Sequence, residues 1–177
     1  MNTSRVIIAF FCLAITSIYA QDEKVLTKME RFVTNTGKIV KLENFNLPDL
    51  KASYEVLKTK VRRVTIQDET NYFLLLVKED KYGDKSSAIA EDDLEELIKA
   101  FDELIQQSEN ETTNSDYFEN KFTTEDGFQI GYGGGKSILW FIKLEKYGKS
   151  TVLFKNYFDI KAIFGMAQKK IQELKAS

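Results

Sequence analysis

Two stretches of this chain read in step across a polar break, and that repetition limits the fold more than any other feature. Phe73-Leu74-Leu75-Leu76-Val77-Lys78 matches Ile138-Leu139-Trp140-Phe141-Ile142-Lys143, and Lys81-Tyr82-Gly83 then matches Lys146-Tyr147-Gly148. With Asp84 as an insertion, Lys85-Ser86-Ser87-Ala88-Ile89 falls on Lys149-Ser150-Thr151-Val152-Leu153. Asp93-Leu94, Leu97-Ile98 and Ile105-Gln106 then fall on Asp159-Ile160, Ile163-Phe164 and Ile171-Gln172, which sets two apolar helical stripes in one phase. Any two hairpin-and-helix units share such a pattern. The common Lys-Tyr-Gly turn is what argues for a duplicated unit.

Each unit reads as four strands and a helix. Leu94, Leu97, Ile98, Phe101, Leu104 and Ile105 recur at helical spacing and predict a helix from Asp93 to Gln107, with Asp92 as its N-cap and Glu95 completing a capping box. Ile160, Ile163, Phe164, Ala167, Ile171 and Leu174 predict a second, begun by Asp159, in which Gly165 either weakens the helix or marks close packing. Strands are expected at 54–59, 61–67, 72–79 and 86–90, the first two being either separate or one long bent strand, and at 117–123, 128–132, 137–145 and 150–155. Met29 to Val33 and Lys38 to Leu42 flank Thr34-Asn35-Thr36-Gly37 and predict an additional hairpin. Near Arg62-Arg63 the apolar parity changes, from Val61 to Val64 and Ile66, which a bulge would explain. Phe73 to Val77 and Ile138 to Leu144 are apolar on both parities. A helix covers one face of such strands, so the other must meet a sheet, a partner or a ligand.

The expected fold is therefore α+β: two tandem antiparallel four-strand-plus-helix units packed as one domain, with an extra N-terminal hairpin. The first unit runs over about 24–107, a linker over 108–116 within the polar stretch Gln106 to Asp116, and the second unit over 117–177.

The first twenty residues stand apart. Arg5 is followed by the nearly all-apolar run Val6 to Ala20, and Gln21-Asp22-Glu23-Lys24 then opens polar sequence. This is the pattern of a secretory signal peptide, too short to cross a bilayer as a helix, with Ala20 at the cleavage point. The working protein is then Gln21 to Ser177, periplasmic or extracellular. The formal net charge is −2 for the whole chain, and loss of Arg5 with the leader makes it one unit more negative.

Export narrows the chemistry. The single cysteine, Cys12, lies in the leader, and the chain has no histidine. Thiol nucleophiles, Ser-His-Asp triads, His or Cys zinc sites and disulfides are all excluded from residues 21–177. No cofactor or metal site is expected. Gly131-Tyr132-Gly133-Gly134-Gly135-Lys136-Ser137 suggests a phosphate loop, but position 130 is Ile and the segment leads into a strand, so a glycine hairpin is the better reading. Asp80-Lys81-Tyr82-Gly83-Asp84 lacks the alternating ligands of a calcium loop and reads as a turn.

Carboxylates are the acid–base groups left. Glu91, Asp92 and Asp93 cluster before a helix and Glu125-Asp126 before Gly127, where capping and solvation explain them most simply. A paired-carboxylate hydrolase acting on glycan or cell-wall material is the enzymatic alternative, with Glu91 and Asp126 as its candidates. Lys58, Lys60, Arg62 and Arg63 form the one basic concentration, and on a strand the first three project to one side, toward an anionic surface or polymer or toward solvent. Tyr82 and Tyr147 occupy equivalent turns and can stack on a ring-bearing ligand, while Trp140 on a central strand belongs to the core. Asn110-Glu111-Thr112 has the form of a glycosylation sequon, meaningful in a eukaryotic source.

Two units of four antiparallel strands plus a helix, over most of residues 50 to 175, resemble the architecture shared by Whirly and PUR-repeat proteins. The resemblance implies two interlocked units; those families bind single-stranded nucleic acid inside cells, whereas an exported, mildly acidic chain argues against that ligand. With Ala20-Gln21 at the cut, no cysteine beyond it and abundant Lys, Glu and aromatic residues, the chain also resembles small exported proteins of Gram-negative bacteria, which implies no activity. The expected function is a non-enzymatic extracytoplasmic binding or interaction module for a protein or a small anionic ligand. The alternatives are the carboxylate hydrolase and an anion or nucleic-acid binder using the basic strand.

Overall fold

The computed structural model describes residues 26–177 except 35–36, 113–114, 136 and 147–148. The leader and Tyr147 lie outside the described residues. The architecture is α+β, with two antiparallel sheets of five and four strands packed with three helices. The first sheet holds β1 (Val40–Asn46), β3 (Val56–Ile66), β4 (Glu69–Lys78) and β5 (Lys85–Ala90) in that spatial order, with the short β2 (Leu50–Lys51) also paired to β3. The second holds β6 (Phe118–Thr123), β7 (Gln129–Gly134), β8 (Ile138–Lys143) and β9 (Thr151–Phe154) in chain order. Helix α1 (Lys28–Val33) precedes the described strands, α2 (Glu91–Glu109) follows β5, and α3 (Phe158–Lys175) follows β9.

One core serves both sheets. Leu74, Leu76 and Ile89 of the first sheet, Ile130, Tyr132, Trp140 and Ile142 of the second, and the apolar stripes of α2 and α3 form a single buried cluster. The helices cross between units: α2 packs on β4 and β5 of its own sheet and on β6 and β7 of the other, while α3 packs on β2, β3 and α2. Phe101 of α2 stands at the crossing, its ring edge-on to Trp140 at 5.4 Å and to Phe164 of α3 at 5.7 Å. The sheets also join at an edge, where the Ser53 N–H donates to the Leu153 carbonyl at 2.9 Å.

The first sheet has a second, smaller core on its outer face. Val64, Ile66, Phe73 and Ala90 are buried there beneath Met29, Phe32 and Val33 of α1. This corrects the expected N-terminal hairpin: Met29 to Val33 is helical, and Val40 to Asn46 pairs with β3 instead. Thr27 starts the helix with a complete capping box, its hydroxyl accepting from the Glu30 N–H and the Glu30 carboxylate accepting from the Thr27 N–H.

The same helix removes the expected bulge. Pairing of β3 with β1 and with β4 is continuous through Arg62 and Arg63. Parity changes because Val61 points into the shared core while Val64 and Ile66 point to the opposite face, under α1. The strand is regular, and its two halves are buried on different sides.

Other expectations shift by smaller amounts. Of the two readings of 54–67, the one long strand is found, as β3. Helix α2 starts earlier, with Ala90 as N-cap and no side-chain cap bond, so Asp92 lies inside the first turn and the Asp92–Glu95 capping box is not formed. It also runs on to Glu109, taking Ser108 and Glu109 out of the expected linker. Gly165 on α3 faces open space, so it does not mark close packing. The strand match between units is out of step by one residue, since Leu74 and Leu76 enter the shared core but their sequence counterpart Leu139 is exposed and Trp140 and Ile142 enter it instead. The helix match holds its phase, with Leu94, Leu97 and Ile105 buried like Ile160, Ile163 and Ile171.

Candidate functional site

Strand β3 carries the basic row. Because alternate residues of a strand share a face, Lys58, Lys60 and Arg62 stand with Val64 and Ile66 on the outer face of the first sheet. Helix α1 covers the Val64–Ile66 half and leaves the basic half open. Across β3 the register sets Lys60 opposite Leu75 and Arg62 opposite Phe73, and on the far side of β4 Leu75 faces the small Ala88. Beside the row of cations, spaced roughly 7 Å apart along the strand, this half-face carries Leu75, Val77, Ala88 and Ser86, of which Leu75 is buried and Ser86 exposed.

The three cations differ in engagement. Lys58 donates to Asp49 at 2.8 Å, and that hydrogen bond and charge hold its pKa above the ordinary lysine value. Arg62 Nε donates to the Asn44 side chain at 2.8 Å, which leaves the rest of the guanidinium available. No ion pair or hydrogen bond of the Lys60 ammonium is formed among the described residues. Sequence reasoning missed Lys51, which sits opposite Val56 and so joins the same face, and Tyr54, 90% exposed in the turn between β2 and β3.

Arg63 does not join the row. It projects to the other face, where its guanidinium pairs with Glu43 at 2.8 Å and lies 5.6 Å from the Phe45 ring centre. Lys170 of α3 lies 5.7 Å from the same ring, so Arg63 belongs to the seam between β1 and α3. Burial would raise the Glu43 pKa, but the hydrogen bond from Lys41, the largest influence, together with Arg63 holds the carboxyl below its usual range. Tyr82 is 95% exposed in the β4–β5 turn, which closes through Asp80: its side chain accepts from the Tyr82 N–H at 3.2 Å, and its carbonyl from the Gly83 N–H at 3.2 Å. That turn leaves the sheet at the Lys58 end, where β4 pairs with the start of β3.

The acidic residues do converge, though around cations. Lys28 Nζ donates to Asp92 and to Asp93, each at 2.8 Å, and the Lys28 N–H donates to both oxygens of Asp126 at 3.0 and 2.8 Å. Arg31 meets Glu125 at 3.1 Å and Asp126 at 3.9 Å. Glu91, the other hydrolase candidate, pairs with Lys175 at 2.9 Å. Burial raises the Asp126 pKa against the lowering effect of the Lys28 N–H. Burial also acts to raise that of Asp92, but the Lys28 hydrogen bond and charge outweigh it and leave Asp92 lowered. Lys28 itself is raised, its two carboxylate partners overcoming burial. One oxygen, Asp93 Oδ2, is buried without a hydrogen-bond partner. The cluster staples α1 to the start of α2 and to the β6–β7 turn. Among the described residues no group of three or more His, Cys, Asp or Glu is placed to hold a metal ion.

The glycine run has a structural cause. Gly131 and Gly133 lie in β7, and a Cβ at either would stand 2.2 Å from the Asn120 carbonyl or 2.6 Å from that of Phe118. Strand β6 approaches too closely for any side chain there. Gly134 alone of the run has a positive φ, at +147°.

Comparison with protein families, with curated proteins and with solved structures gives no match, so neither activity nor ligand is inherited. Among the described residues no helix is long and apolar enough to cross a membrane.

Proposed function

We propose that this chain is a non-enzymatic binding module, exported from the cytoplasm, that holds an anionic partner on the open half of the first sheet's outer face. One observation carries the reading: Lys58, Lys60 and Arg62 form a straight row on a sheet face that α1 stops short of covering. Lys51 and the exposed Tyr54 and Tyr82 lie at the Lys58 end of the row. Such a row attracts negative charge, releases counterions on binding and so weakens steeply with salt. For an exported protein the partner best matched in chemistry is an acidic glycan, which presents charges at intervals along an extended chain. The likeness to Whirly and PUR-repeat proteins concerns strand and helix order and lends no ligand.

The hydrolase reading is weaker because its carboxylates are committed elsewhere. Asp126 caps α1, Asp92 and Asp93 hold Lys28, and Glu91 holds Lys175.

The test is a binding titration of the exported form with a sulfated oligosaccharide, polyphosphate and a single-stranded oligonucleotide, at low and physiological salt. Tightest binding to the glycan, lost at least tenfold in the K58E/K60E/R62E variant and kept in R63A, is the expected result. Preference for the oligonucleotide would replace the glycan as partner. Absence of salt-sensitive binding to all three would overturn the reading.

A further inference from the structure

We infer that α1 is a latched cover, displaceable as a unit from the first sheet, and that its release extends the anion-binding face; the second clause rests on the function proposed above. The helix has six residues, none of them buried. Isolated helices need roughly 12–15 residues to be even marginal in water, so α1 is helical because of what it touches. Beneath it lie Val64, Ile66, Phe73 and Ala90, and around it lies the ionic latch.

The latch does not belong to the sheet it closes. Asp92 and Asp93 come from the first turn of α2, Glu125 and Asp126 from the β6–β7 turn, and each engages Lys28 or Arg31. Beside α1 an open cleft of about 520 Å³ is lined by Arg31, Phe32, Asn71, Tyr72 and Asp92. Solvent therefore reaches the latch, and the buried Asp93 Oδ2 lacks a partner even when it is closed.

Release changes the face in two ways. It uncovers Val64 and Ile66, which continue the line of Lys58, Lys60 and Arg62 along β3. It also frees Lys28 and Arg31 from four carboxylates. A linear anion lying along the row competes with those carboxylates for the two cations, so ligand and latch oppose each other.

The chain is suited to a thiol-labelling test, because Cys12 is the single cysteine. In full-length C12S protein, V64C places a thiol under α1 and V61C places one in the shared core. V64C should label at least tenfold faster than V61C, and faster again in high salt, while V61C stays slow. R31E should quicken V64C labelling several-fold, and pairing it with E125R should restore the slow rate, since the two residues meet at 3.1 Å. Equal rates for V64C and V61C, with or without R31E, would overturn the cover. Sulfated oligosaccharide should accelerate V64C, an effect that K58E/K60E/R62E should abolish. Fast V64C labelling that ignores the oligosaccharide would leave the cover standing and remove its link to binding.

Discussion

The two sheets share a strand order and a core, yet their outer faces are built on opposite principles. In the first sheet the outer face is bulky and cationic and half of it is closed by an added helix. In the second no described helix is packed on it, and the face is thinned by Gly131 and Gly133 beside Leu139, Phe141 and Leu153. Phe141 is nevertheless buried, whereas Leu139 and Leu153 are each 40% exposed. The difference teaches that similar strand topology constrains the inner faces, which must fill one core, and leaves the outer faces free to diverge.

The sharpest way to break this comparison is to cut the shared core. Phe101 touches both Trp140 and Phe164, so Phe101→Ala should cost about 3–5 kcal/mol. If the two sheets belong to one cooperative unit, urea denaturation followed by Trp140 fluorescence and by far-ultraviolet circular dichroism should remain coincident while its midpoint falls. Two separated transitions would divide the molecule at the linker.

Gly131 tests the outer face of the second sheet. Gly131→Ala drives a Cβ to 2.2 Å from a backbone carbonyl that cannot rotate away, so it should destabilise by about 1–3 kcal/mol and open the β6–β7 pairing. A smaller loss by thermal unfolding would show that β6 yields freely. Gly165 in α3 should answer with the opposite sign. It faces open space on a helix interior, and Gly165→Ala should stabilise by up to about 1 kcal/mol.

Much of this was legible in the residues. The stripes of α2 and α3 and the one-sided row of Lys58, Lys60 and Arg62 follow from periods of 3.6 and 2, while Trp140 is legible as core from its place on a central strand that is apolar on both parities. What the sequence hid was one short helix. Met29, Phe32 and Val33 are spaced for a helix face, but six residues give too little periodicity to separate helix from strand, and the capping box at Thr27 and Glu30 was the overlooked signal. That omission produced the false bulge, because Val64 and Ile66 had no visible reason to point away from the core. Arg63 is adjacent to Arg62 in sequence, but the pleat puts it on the other side, as alternation along the strand already implies. The glycine run was read as turn chemistry, since the close approach of β6 is a tertiary fact that a single strand cannot announce.

The smallest effect separates the two halves of the α1 latch by the sign of their pH dependence. Asp92 has a folded-state pKa below its unfolded value, so its contribution is present above the ordinary carboxylate range and is lost as pH falls through the depressed value. Asp126 is raised by burial, so the folded state takes up its proton first, and between the raised value and the ordinary one falling pH favours the folded form. Asp92→Asn should therefore lessen the loss of thermal stability on acidification below about pH 4. Asp126→Asn keeps an oxygen for the Lys28 N–H while removing a desolvated charge, and should instead raise stability slightly at neutral pH and remove the gain on mild acidification. Equal pH profiles for the two variants would mean that the start of α2 and the β6–β7 turn do not act on α1 in opposite senses. Both halves of the latch would then hold the first sheet's cover in the same sense, and the contrast with the second sheet would rest on the presence of the latch rather than on any opposition within it.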